Sequence, residues 1–140
     1  MKILSVDYGD ARTGLAISDS SEFLASPIGT ITEYNAEKLA EKIKAEAASR
    51  GAQQIVMGLP VNMNGTKGER AQKCEAFGKL LEEKTGLEVV MWDERSTTVS
   101  AHRILNEVNV RGKKRKAVVD AVAAVLILES YLAYRNRIDN

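Results

Sequence analysis

One segment near the end of the chain restricts the fold more than any other. From Val118 to Leu132 the residues are apolar on nearly every side of a helix: Val118, Val119, Val122, Val125, Leu126, Ile127, Leu128 and Leu132, with alanines between them. A helix that is apolar all round packs on more than one face, so this one has to lie against a covering layer. Asp120 nevertheless falls in its first turn. A buried, unpaired carboxylate is very costly. Either Asp120 stays partly exposed and gains roughly 0.3–1 kcal/mol from the helix dipole, or a cation compensates it. Lys116, one turn earlier, can do so as an ion pair, and a bound divalent ion can do more.

The covering layer is legible upstream. Lys2 to Asp7 and Thr13 to Ser18 read as two short strands joined by the tight turn Tyr8-Gly9-Asp10-Ala11, a hairpin. Ala25 to Thr32 reads as a third strand, with Pro27 near its start or on an edge. From Asn35 to Arg50 the period changes: Leu39, Ile43 and Ala47 recur at helical spacing, Asn35 can cap the start and Gly51 the end. Gln54 to Met57 is a buried-type strand, Glu69 to Lys84 a helix closed by Gly86, and Glu88 to Trp92 a central-looking strand whose continuous apolar run suits a sheet covered on both faces. Ser96 or Thr97 can cap a helix to about Val108, and the last helix runs from about Ala117 to Arg135. The order β-β-β-α-β-α-β-α-α predicts an α/β fold: an antiparallel meander of three strands, then parallel strands, in one mixed sheet with helices on both faces.

The chain has 140 residues, the usual size of a single domain, so residues 1–140 are read as one. Hydrophobic residues at 44% and charged residues at 28% are ordinary for a globular protein and argue against disorder. Cys74 is the single cysteine, so no internal disulfide can form, which fits a reducing cytoplasm. The opening Met1 to Asp7 turns acidic too soon for a signal peptide. No apolar run approaches the ~20 residues of a membrane span, so no membrane partner is expected. The net charge of +1 says nothing of a polyanionic partner, but every residue from Arg111 to Lys116 except Gly112 is basic, and such clustering can build an anion site on a neutral protein.

Acids recur where strands end. Asp7 closes the first strand on the face of Ile3 and Ser5, and Asp93-Glu94-Arg95 closes the strand after Val89-Val90-Met91-Trp92. Taken singly, each is explained by turn formation or solvation. If the two strands are parallel neighbours, their ends meet at one edge of the sheet, where such folds place their sites. Of Asp93 and Glu94, one shares a face with Asp7; Glu94 is preferred, and period-two arithmetic leaves Asp93 open. Asp7, Glu94 (or Asp93) and Asp120, with no Cys/His group, suit Mg2+ or Mn2+ and not zinc. Two such ions about 4 Å apart activate water and stabilise a leaving oxygen in phosphodiester cleavage.

Four stretches, in this order, resemble the YqgF family, also called RuvX or the Holliday junction resolvase family. They are Asp7-Tyr8-Gly9-Asp10-Ala11-Arg12-Thr13-Gly14, Gly58-Leu59-Pro60 with Gly65, Asp93-Glu94-Arg95-Ser96-Thr97-Thr98, and Lys116 to Asp120 with Ala123-Ala124. The resemblance covers essentially the whole chain. It implies an RNase H-like fold, a bacterial cytoplasmic protein, and a nuclease maturing the 5′ end of precursor 16S ribosomal RNA. The older description, resolution of four-way DNA junctions, is similar chemistry on another substrate. Carried over, its acids fall at Asp7, Asp93-Glu94 and Asp120.

Around these acids, Arg12 and Arg95 can each hold a phosphate bidentately. The basic loop with Arg111, Lys113, Lys114, Arg115 and Lys116 leads into the helix of Asp120 and can grip a phosphate backbone. The plainer readings are surface ion pairs and a solvated loop. Gly58 and Gly65 let backbone approach the site, or merely connect strand to helix. His102 reads as a surface residue, Cys74 as structural, and Trp92 as core. The expected partner is structured nucleic acid, precursor rRNA or branched DNA, with the ribosome or its precursor a further candidate and the chain a monomer or homodimer. Two other classes compete: a non-catalytic RNA-binding or ribosome-assembly module, and a lobe of the actin and sugar-kinase type, whose Asp-x-Gly turn Asp7-Tyr8-Gly9 resembles.

Overall fold

The computed structural model describes residues 1–96 and 113–138; for 96, 113–120 and 138 it describes the backbone alone. Five strands form one sheet: β1 (Ile3–Asp7), β2 (Arg12–Ser18), β3 (Ala25–Thr32), β4 (Gln54–Leu59) and β5 (Val89–Asp93). Among the described residues three α-helices accompany them: α1 (Ala36–Arg50), α2 (Glu69–Thr85) and α3 (Lys113–Ile138). The strand order is β3-β2-β1-β4-β5. β1 pairs antiparallel with β2 and parallel with β4. β2 pairs antiparallel with β3, and β4 pairs parallel with β5. The meander followed by parallel strands is as the sequence predicts.

Alternation sorts the strands onto two faces. Leu4, Val6, Leu15, Ile55 and Met57 point to one face and pack against Leu39, Ile43 and Ala47 of α1 and Phe77 and Leu81 of α2. Ile3, Ala16 and Val56 point to the other and pack against Ala124, Val125, Ile127, Leu128, Tyr131 and Leu132 of α3. The all-apolar helix is therefore the whole helical cover of one face among the described residues, and its Ala124, Ile127 and Leu128 are almost fully buried.

Local signals act as expected. The Asn35 side chain accepts from the Lys38 N–H at 2.9 Å, and Gly51 closes α1 in the left-handed region at φ 71°. Pro27 sits on β3, which has β2 as its sheet neighbour and so leaves an edge where a missing N–H is harmless.

Three readings need correction. β5 looks central from its apolar run, yet it lies at the edge of the sheet, with β4 between it and β1. Its apolar character has another cause: Val89 and Met91 pack toward α1 and α2, while Val90 and Trp92 pack toward α3, so both faces are covered even at the edge. β4 continues past Met57 because Gly58 and Leu59 still pair with Trp92 and Asp93. The last helix begins at Lys113 and not near Ala117. The basic residues from Lys113 to Lys116 are thus its first turn and not a loop, as suits strong helix formers with no Gly or Pro among them. The helix expected over 96–108, His102 and Arg111 lie outside the described residues.

Candidate active site

The carboxyl ends of β1, β4 and β5 form one rim of the sheet. On the α3 side of β1, the Ser5 hydroxyl donates to the Ala124 carbonyl at 2.6 Å. Asp7 shares that face by alternation and is half-buried. Val6 pairs with Met57, so the register carried one residue further sets Asp7 beside Gly58. Gly58 in turn pairs with Trp92. A Cβ at position 58 would collide with Glu94 Oε1 and would lie 2.6 Å from Ile127 Cδ1 and 3.0 Å from Glu94 Cγ. The glycine is there because two side chains, one from beyond β5 and one from α3, fold over its bare Cα.

This explains how Glu94 serves a site on β1 although β5 is not the neighbour of β1. Its side chain lies over β4 at the one position where β4 has none. Glu94 follows β5 directly, in a single 3-10 turn with Arg95 and Ser96. Burial raises its pKa above the ordinary glutamate value, and the nearby Asp7 carboxylate raises it further; Arg70 acts in the opposite direction.

Asp93 goes elsewhere. The Arg95 guanidinium grips it from Nε at 2.9 Å and Nη2 at 2.6 Å, and the Arg95 N–H donates to it at 2.9 Å. These bonds hold the Asp93 carboxyl below its ordinary range. Arg95 also reaches the Asn62 carbonyl at 3.5 Å, on the loop that follows β4. Arg12 begins β2 and is exposed.

The turn between β1 and β2 is tight. A Cβ on Gly9 would overlap the Arg12 carbonyl, so the chain reverses there with no room for a side chain. Sequence reasoning missed the residue that holds this turn from outside. Arg70, in the first turn of α2, donates to the Tyr8 carbonyl and to Asp10 at 2.8 Å. Its guanidinium lies 5.1 Å from the centre of the Tyr8 ring, and that ring stacks on Phe77 at 4.3 Å. The sequence signal was thin: a basic residue two places after Gly68, where α2 begins. One turn on, Cys74 is buried and its thiol is pushed up to about 11, mainly by burial. It is an inert core group.

Asp120 lies on the helical backbone of α3, beyond the first turn that the sequence pattern predicts for it, and its side chain is outside the described residues, as are those of Lys113, Lys114, Arg115 and Lys116. The direction of α3 is clear. Ala124 sits at Ser5, in the middle of β1. Tyr131 donates to Gln54 at the start of β4 with 2.9 Å, and Arg135 pairs with Glu22, which also holds the Met1 amino group. With falling residue number, α3 therefore runs toward the end of β1 that carries Asp7. Among the described residues no group of three ligands assembles. The donors that do converge, Asp7 and Glu94, are carboxylates beside a cradle that a Cβ would fill. Such oxygen donors fit Mg2+ or Mn2+.

The chain is similar to known proteins in sequence and in fold. The chain is 43% identical over 133 residues to a protein of Ruminiclostridium cellulolyticum named "Putative pre-16S rRNA nuclease", covering 94% of each chain. It is 44% identical over 132 residues to a Clostridium beijerinckii protein of the same name, covering 94% of this chain and 96% of the relative. Its fold is that of Thermus thermophilus RuvC, solved with a Holliday junction substrate, with a TM-score of 0.69 at 9% identity over 100% of this chain and 97% of RuvC. No helix among the described residues is long and apolar enough to cross a membrane. The family described as "RuvX: Holliday junction resolvase" matches residues 1–134, the stretch that carries β1 with Asp7, the Gly58 cradle and the start of α3, and the chain belongs to that family.

Proposed function

We propose that the chain is a nuclease that hydrolyses phosphodiesters in structured nucleic acid, acting over residues 1–140 as one RNase H-like domain. Its leading substrate is precursor 16S rRNA, as the names of its relatives suggest, with the 5′ end the expected site of processing; a four-way DNA junction is the alternative. The observation that carries this is Glu94. A glutamate half-buried beside a second carboxylate, with its pKa raised by both, is an arrangement that favours a bound cation. Asp7 and Glu94 are assigned as metal-holding acids. Asp120 is the third, and helix geometry supports it. One turn before Ala124 is about 6 Å along α3, and Asp7 lies about 6.6 Å beyond Ser5 along β1, in the same direction. Asp93 is assigned to Arg95 and not to metal.

When bound, Mg2+ or Mn2+ would neutralise phosphate charge and lower the pKa of an attacking water. The protein's own part is positional. Asp7 and Glu94 fix where a cation and the cleaved phosphate can sit together. Arg95, steadied by Asp93, and Arg12 are assigned to hold flanking phosphates. Arg111, Lys113, Lys114, Arg115 and Lys116 supply a basic run at the entry to α3, contributing affinity that falls with salt.

The test is a side-by-side assay with Mn2+ on precursor 16S rRNA and on a four-way DNA junction, with Asp7→Asn as control. Cleavage of the RNA by the native chain, lost in Asp7→Asn with folding intact, is expected. Equal cleavage by the variant removes the mechanism. Binding of RNA with no cleavage of either substrate turns the assignment toward an assembly module.

A further inference from the structure

We propose that Arg70 is a positioning residue that builds the metal site from outside, by fixing the backbone turn that carries Asp7. The inference rests on the metal-site reading above. Three contacts, made across some 60 residues of sequence, converge on one guanidinium. It donates to the Tyr8 carbonyl and to the Asp10 carboxylate. It stacks over the Tyr8 ring, which is itself pinned to α2 by Phe77. Tyr8 is the residue after Asp7, and Asp10 lies in the same turn. Two donors in a planar fork and one aromatic stack fix a peptide plane in position and orientation, which a single ammonium cannot do.

The opposite face of that short segment is Asp7. Because successive side chains of a strand point to opposite faces, a clamp on Tyr8 from the α2 side sets the direction of Asp7 on the α3 side. The contact to Asp10 is exposed and, as a surface pair, adds little by itself. The Tyr8 carbonyl and ring contacts, half-buried against α2, do the holding.

A bare electrostatic role and a positioning role differ in sign. Arg70 is a positive charge near the acids, since it opposes the pKa rise of Glu94. By Coulomb's law alone, deleting it tightens a bound cation. If it positions Asp7, deleting it weakens the cation, by about tenfold on the scale of residues that orient metal ligands.

The experiment is Mn2+ titration of the full chain by calorimetry, with native protein, Arg70→Ala, Arg70→Lys and Asp7→Asn, alongside hydrogen exchange of the amides at 8–10. Arg70→Lys keeps the charge, so it serves if Arg70→Ala does not fold. The expected result is weaker Mn2+ binding in both Arg70 variants, with faster exchange at 8–10 and unchanged melting of the remainder. Equal or tighter Mn2+ binding in a folded Arg70 variant, while Asp7→Asn loses it, overturns the proposal and leaves the nuclease reading intact. Loss in the Arg70 variants with no cleavage of RNA or DNA by the native chain upholds the proposal and removes that reading. No Mn2+ binding by the native chain removes both.

Discussion

The two faces of the sheet are built from different material. Against α1 and α2 the filling is large and aliphatic: Leu4, Val6, Leu15, Leu39, Ile43, Ile55, Met57 and Leu81 are almost fully buried, with Phe77 close behind. Against α3, large residues such as Ile3, Val56, Ile127 and Leu128 are interleaved with small and polar ones. Ser5 bonds to a helix carbonyl, Tyr131 to Gln54 and Trp92 to Ser130, while Ala16, Gly58 and Ala124 keep the layers close. The first face supplies burial, which tolerates reshaping as long as volume is kept. The second supplies directed bonds and close approach, which do not. Burial stabilises both faces, but the candidate acids and the directed bonds lie on the α3 side, so substitutions on the other side test stability apart from the site.

The largest expected effect is on the aliphatic face. Ile43→Ala removes a fully buried side chain and is expected to cost about 3 kcal/mol by urea denaturation, with Mn2+ affinity unchanged below the transition. Weakened Mn2+ binding at equal folded fraction would show that the faces are coupled. Next is Gly58→Ala. The added methyl meets Glu94 and Ile127, so about 2 kcal/mol of overpacking is expected, and here cleavage and Mn2+ binding should fall together with stability. A Gly58→Ala chain of native activity would place Glu94 elsewhere in solution.

Smaller is Ser5→Ala, expected to lose about 1 kcal/mol with its bond to Ala124 and to raise the Mn2+ midpoint by loosening α3. No change in either would leave the register of α3 to packing alone. The smallest effect has the opposite sign. The folded-state pKa of Glu94 is raised, so the folded form holds that proton more tightly than the unfolded chain. Its favourable contribution is full below the ordinary glutamate pKa of about 4.3 and is lost as pH rises through the raised value. Glu94→Gln should accordingly raise the melting temperature of metal-free protein at pH 7 and do nothing near pH 3. A lower melting point at pH 7 would mean that the ionised group is stabilised without metal.

The parts legible in the sequence were those set by near neighbours. Asn35 and Gly51 bound α1 through contacts a few residues long, and the hairpin turn at Gly9 closes over four residues. The α3 cover was legible because no amphipathic alternative exists for Val118 to Leu132. What escaped depends on which strands become neighbours. The edge position of β5 is a matter of topology and not of its own apolar run. The choice between Asp93 and Glu94 turns on Gly58, 36 residues from Glu94 and meaningful only once β4 is known to lie between β5 and β1. Arg70 carries only a thin signal beside Gly68; its meaning appears only when α2 is laid against the first turn.

Trp92 is the lone tryptophan of the chain, and its indole donates to Ser130 at 3.0 Å between Tyr131 and Tyr134. It stands two residues before Glu94 and touches the very helix that bears Asp120. The molecule thus carries its own optical gauge: any shift of α3 against β5 alters the surroundings of one fluorophore, and emission can be followed in the unlabelled chain while ions or nucleic acid are added.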